Sequence, residues 1–174
     1  MNESKEGFQL RNRGFTLSEL LTALSIACLL AASSGPISTL ISKLRLTQCA
    51  QDFTAALRFA RSRAIHDQTG ITVAARDGNW VSGWIIFTDP NRNAQLDSGE
   101  ILLISQAGTQ GIRVTTNTPV RSYIHYSAQG TSQLSNGGFQ AGTLKLCSSD
   151  RSLPGIQITL NSTGKTRSSE VACQ

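Results

Sequence analysis

Aromatic side chains are scarce in this chain of 174 residues, at 6% of the total, and charged residues make up only 16%. There are two histidines, His66 and His125, and no cysteine or carboxylate spacing joins them into a metal site. A structural role is the default for both. The serines are many, yet none lies in a nucleophile motif of the G-x-S-x-G kind. No strand pattern alternates with helix patterns, so parallel βαβ units are not indicated. On these absences the chain is not an enzyme, and neither a cofactor nor a bound metal is expected.

What is present begins with an apolar run. From Leu20 to Ser42 there is no charged residue. As a helix that stretch would rise about 35 Å, enough for a hydrocarbon core of about 30 Å. Lys5, Arg11 and Arg13 precede it, which keeps the leader cytoplasmic and sends the C-terminal part across the membrane. Lys43 and Arg45 follow closely on the far side, so the charge bias alone is thin. The remaining length suits one exported domain with a modest core. The net charge is +5, which permits a polyanionic partner without demanding one.

The run opens with Arg13-Gly14-Phe15-Thr16-Leu17-Ser18-Glu19-Leu20-Leu21. This resembles the cleavage and assembly signal of type IV prepilins and of type II secretion pseudopilins. The resemblance implies a cut after Gly14 by prepilin peptidase, which also methylates the new N-terminal Phe15. A lone carboxylate at the edge of a membrane segment is costly unless paired or wet. The resemblance supplies a partner for Glu19, the free amine of Phe15 on a neighbouring subunit. Two other targeting readings compete. A secretory signal could be cut near Ala31-Ala32-Ser33, but Glu19 would then sit inside its apolar centre. A lipoprotein signal would use Cys28, but it lacks the usual leucine three residues before the cysteine. Scarce aromatics and low charge also suit a filament subunit. Cleavage of residues 1–14 would leave a charge of about +4.

Pro36 predicts a kink in the first helix. Beyond it Leu46, Cys49, Ala50, Phe53, Ala56, Leu57, Ala60 and Ala64 recur at spacings of three and four, one apolar stripe of an amphipathic helix. Gly70 is a candidate stop, so the helix is expected from Phe15 to Thr69. Strands are expected at Ile71–Ala74, Trp80–Thr88, Ile101–Ser105, Ile112–Thr115, Ser122–Ser127, Thr143–Cys147, Ile156–Leu160 and Thr166–Ala172. Trp80–Thr88 is apolar on both faces and reads as a central strand, with Gly83 marking a bulge. Residues 129–142 read as a long loop or irregular hairpin. The fold class is α+β, a long N-terminal helix, half membrane and half amphipathic, packed on antiparallel sheet as in type IV pilins. The domains are a leader at 1–14, a transmembrane and assembly helix at 15–42, and an exported domain at 43–174.

In Asp89–Glu100, oxygen side chains fall at loop offsets 1, 3, 5, 9 and 12, the EF-hand spacing. Ala94 replaces the required glycine, Pro90 and Arg92 intrude, and strands flank the loop. A hairpin loop bonded through its own Asp and Asn side chains is the reading preferred to calcium. Cysteines number four. Cys28 acts as a small hydrophobe in the apolar run. The family resemblance implies a Cys147–Cys173 bridge in an oxidising compartment, with pairings through Cys49 left open.

Asn161-Ser162-Thr163-Gly164-Lys165-Thr166-Arg167 puts a glycine turn before alternating cations, which project to one side if extended. It resembles in part the Gly-Arg-x-Arg motif linked to DNA binding in FimT pilins of natural transformation, with Lys165 in place of the first arginine. Lysine binds phosphate as a point charge without the bidentate fork. Charge guarding a sheet edge against aggregation is an equal reading. Arg151 or Lys145 would help if the fold brings them near. The resemblance therefore implies a minor pilin of the FimT/FimU type in pilus assembly or priming, with DNA binding at Lys165 and Arg167. The alternative is a GspH-like pseudopilin of type II secretion. Implied partners are other pilin subunits, prepilin peptidase, the inner membrane and non-specific duplex DNA. The implied location is the bacterial inner membrane with the C-terminal domain periplasmic, then the pilus or pseudopilus.

Overall fold

The computed structural model describes residues 15–32, 34–149 and 153–173, and the side chains of residues 32 and 34–36 are left out of the description. It divides into two units, Met1–Ser38 and Thr39–Gln174. In the first, helix α1 spans Leu17–Ala32. Helix α2 spans Ser34–Asp67. Of the helix expected from Phe15 to Thr69, Leu17–Ala32 and Ser34–Asp67 are helical, and Ser33 between them lies outside the described residues.

The stripe Leu46, Cys49, Ala50, Phe53, Ala56, Leu57, Ala60 and Ala64 is the buried face of α2. It packs in one core with residues of the sheets, whose strands among the described residues are Ile71–Ala75 (β1), Gly83–Thr88 (β2), Leu102–Ala107 (β3), Ile112–Thr116 (β4), Tyr123–Tyr126 (β5), Ser132–Gln133 (β6), Gly142–Ser148 (β7), Gly155–Leu160 (β8) and Thr166–Val171 (β9). They form two antiparallel sheets, ordered β3-β2-β1-β5-β6 and β4-β7-β8-β9. Phe53 meets the rings of Trp80 and Trp84 edge-on at 5.0 and 5.2 Å. Such pairs add about 0.5–1.5 kcal/mol beyond their burial.

Two local expectations need correction. Trp80 does not head a strand. Trp80–Ser82 is a single tight 3-10 turn, because the Asn79 side chain accepts from the Val81 amide at 3.0 Å and caps it. The strand starts at Gly83, whose φ is 105°. A Cβ there would lie 2.2 Å from the Gln106 carbonyl oxygen, so close strand approach explains the glycine. The register slip lies between Ile86 and Phe87 instead. Nor does Gly70 end α2. Gln68 takes the left-handed conformation at φ 52°, and the Thr69 amide reaches back to the Ala64 carbonyl at 3.3 Å, a Schellman closure.

Cys147 is bonded to Cys173, 26 residues on, tying the chain beyond β9 to β7. Loop-closure entropy makes such a bridge worth about 3.5 kcal/mol. Cys49 is a free thiol in the core. Burial pushes the Cys49 thiol up, an effect that a hydrogen bond with Thr109 opposes.

Candidate functional site

Three places carry the residues singled out by sequence. The first is the start of α1. Gly14 lies outside the described residues, and Phe15 is 80% exposed. Thr16 is the N-cap of α1 and Glu19 stands three residues on. The Thr16 amide and hydroxyl both donate to Glu19 Oε2 at 2.9 Å, while the Glu19 amide donates to Thr16 Oγ1 at 3.3 Å. That reciprocal pair is a capping box. It draws the carboxylate back over the helix start, one residue from Phe15. Sequence reading missed it, although T-x-x-E before an apolar run is its signal. Among the described residues no helix is long and apolar enough to cross a membrane. α1 has 16 residues, about 24 Å of rise.

The second place is the outer face of the β4-β7-β8-β9 sheet. Leu144, Leu146, Ile158 and Leu160 point into the core. Alternation therefore sends Lys145, Gln157 and Thr159 outward. Arg167 lies opposite Thr159, and Lys145 lies between Gln157 and Thr115. Arg113 pairs with Cys147, two residues further on along the same face. Arg167, Lys145 and Arg113 thus run diagonally across it, over about 20 Å at standard strand spacing and rise. Sequence reasoning did not include Arg113, because only the register places it beside Lys145. The sole carboxylate on these four strands, Glu170, pairs with Ile156 and belongs to the other side.

Lys165 closes the turn between β8 and β9. Asn161 Oδ1 accepts the Lys165 amide at 2.8 Å, and the Asn161 amide donates to the Lys165 carbonyl at 3.0 Å. Lys165 and Arg167 line one cavity together with Thr159, Asn161, Thr166 and Ser169. Both cations are exposed. Arg151 lies outside the described residues. The only arginine or lysine ion pair among the described residues is Arg63–Asp67 at 2.7 Å, so among them Lys165, Arg167 and Arg113, all exposed, and the half-buried Lys145 have no carboxylate partner.

The third place is the Asp89–Glu100 loop. Asp89 is fully buried and turns inward. The Thr72 hydroxyl donates to Asp89 Oδ2 at 2.6 Å, leaving Thr72 Oγ1 to accept from His125 Nδ1 at 2.8 Å. The amides of Asn93 and Ala94 donate to the two Asp89 oxygens at 3.1 Å each. Burial raises the Asp89 carboxyl, but the bonds from His125, Thr72 and Ala94 outweigh it and hold the group below its usual range. Asn91 and Asn93 side chains both donate to Asp97 Oδ2. Ala94 adopts φ 59°, so the loop makes its sharp turn without the glycine. Its carboxylates and amides are bonded to one another and to β1 and β5. No group of three or more metal-ligating side chains occurs among the described residues. His66 lies in the last turn of α2, its Nδ1 2.7 Å from Asp67.

Comparison with known proteins identifies the arrangement. Residues 50–164 match the family described as Type II transport protein GspH. Residues 9–35 match the prokaryotic N-terminal methylation motif. No curated protein matches significantly. Two crystal forms of the type IV minor pilin FimU of Pseudomonas aeruginosa strain PAO1 share the fold, each with a TM-score of 0.56 and 22% identity. One match covers 72% of this chain and 88% of FimU, the other 71% and 92%. The GspH match runs from the middle of α2 through β8 into the turn before β9, and the methylation motif covers the capping box of α1. The chain therefore belongs to the family described as Type II transport protein GspH, carries the prokaryotic N-terminal methylation motif, and shares its fold with the minor pilin FimU.

Proposed function

We propose that this chain is a minor type IV pilin, cut after Gly14, methylated on Phe15 and held in the inner membrane by residues 15–42 until it joins or primes a pilus. Its C-terminal domain is then periplasmic and afterwards part of the filament. Glu19 supports this reading. The capping box keeps its carboxylate at the very start of α1, where the amine of a cleaved Phe15, from its own chain or a neighbour, is the natural countercharge.

The same pilin binds duplex DNA without sequence preference, through Lys165 and Arg167 with Lys145 and Arg113 extending the track. The observation that carries this is a face with cations on β4, β7 and β9 to which none of the four strands contributes a carboxylate. DNA presents about one negative charge per 1.7 Å of axis, and each phosphate contact releases counterions. Phosphate contacts made by flexible side chains on a flat sheet position the duplex without reading it. The other reading is a GspH-like pseudopilin of type II secretion, favoured by the description of the matched family. A fluorescence-anisotropy titration of a labelled duplex at two salt concentrations separates them. The parent binds, more weakly at higher salt, and Lys165→Gln with Arg167→Gln loses most of that binding. Equal binding by the variant, or none by the parent at low salt, leaves the hairpin as a charged sheet edge.

A further inference from the structure

A second set of cations reaches the β8–β9 turn from α2. Arg58 and Arg61 are three residues apart and share one side of the helix. Arg61 is fixed by two turns at once. Its Nε donates to the Gly130 carbonyl at 2.8 Å and its Nη2 to the Thr163 carbonyl at 3.3 Å. Only a glycine allows the turn to sit so close. Gly164 has φ 76°, and a Cβ there would fall 2.2 Å from the Gly130 oxygen and 3.0 Å from Arg61 Nε. Both Arg61 partners are neutral carbonyls, so neither offsets the guanidinium charge, and three of its five N–H donors remain.

Between α2 and the turn this leaves a cleft of about 300 Å³, lined by Arg58, Arg61, Ser62 and Lys165 among others and by no carboxylate. Three cations facing one cleft repel one another, and an anion among them turns that repulsion into attraction. Lys165 lines this cleft and also the cavity it shares with Arg167. It therefore joins the helix cations to those of the sheet.

We propose that this cleft is a seat for one phosphate group, held by Arg58 and Lys165 with Arg61 fixed behind them. The phosphodiester of a duplex lying across β9 is its source, and in this the inference rests on the DNA reading above. The seat makes α2 a second wall of the interface. A guanidinium there can meet two phosphate oxygens, which lysine alone cannot.

The test uses the full chain in a neutral detergent. Inorganic phosphate is titrated against sodium chloride of equal ionic strength while the arginine side-chain Nε–H resonances are followed. Phosphate shifts Arg58 and Arg61 saturably, chloride does not, and Lys165→Gln weakens the response. In parallel, a short labelled duplex is titrated over a salt series. Arg58→Gln lowers affinity several-fold and reduces the slope of log K against log salt by about one. Arg58 is exposed, so the variant keeps the fold, whereas Arg61 holds two turns and is left unchanged. If phosphate shifts both arginines but the parent binds no duplex even at low salt, the seat stands for free phosphate and the DNA reading fails. If the duplex binds through Lys165 and Arg167 while Arg58→Gln keeps the parental slope and phosphate acts no differently from chloride, the seat is overturned and the DNA reading survives.

Discussion

At the scale of single residues, Asp89 shows how a suggestive motif can be diverted into the core. Its carboxylate takes bonds from Thr72, His125, Asn93 and Ala94 and fastens the loop to β1 and β5. Asp89→Asn removes the charge from a fully buried network and should cost about 3 kcal/mol, several degrees in Tm. The acid limb follows from the sign of the shift. The folded carboxyl lies below its unfolded value of about 3.9. Its contribution is therefore complete above that value and is lost as pH falls through the folded pKa. Thermal melts between about pH 5 and pH 2 should fall more steeply for the parent than for Asp89→Asn. Parallel curves would show that the carboxylate carries no linkage. Little of this network was legible beforehand, because Thr72, Asp89 and His125 are distant in sequence and meet only through strand pairing. The capping box was legible in Thr16 and Glu19 alone. It went unread because the assembly role already accounted for the carboxylate.

At the scale of elements, what was legible was what is periodic. The stripe of α2 is written at three- and four-residue spacing, and burial follows it from Leu46 to Ala64. Most strands announced themselves by alternation. The division into two sheets did not, since strand order depends on contacts between distant segments. Local chemistry moved the boundaries that composition misplaced, as where Asn79 captures the Val81 amide and turns Trp80 out of its strand. The end of α2 gives a direct check. Gln68 holds the left-handed position usually filled by glycine. Its side chain offsets part of the strain by donating to the Ile65 carbonyl at 2.6 Å. Gln68→Gly should raise stability by about 0.5–1 kcal/mol, read as a higher denaturation midpoint at unchanged m-value. An equal or lower midpoint would mean the Gln68–Ile65 bond outweighs the backbone strain.

At the scale of the whole molecule, two kinds of information sit at opposite ends of the chain. The N-terminal stretch carries the prokaryotic N-terminal methylation motif, compact enough to be legible from neighbouring residues. The C-terminal sheet carries a cationic face, of which Lys165 and Arg167 were visible in sequence while Arg113 needed the strand register, and the approach of Arg58 on α2 to Lys165 needed the fold. The common claim is that the chain is a pilin whose mature form begins at Phe15, with its exported domain available to other subunits and to DNA. Intact-mass measurement of the protein extracted from bacterial membranes tests this most directly. The account predicts loss of residues 1–14 and one added methyl group, assigned by fragmentation to Phe15. An N-terminus at Ser33 or a lipid-bearing Cys28, or a chain that keeps its leader when prepilin peptidase is present, would contradict it.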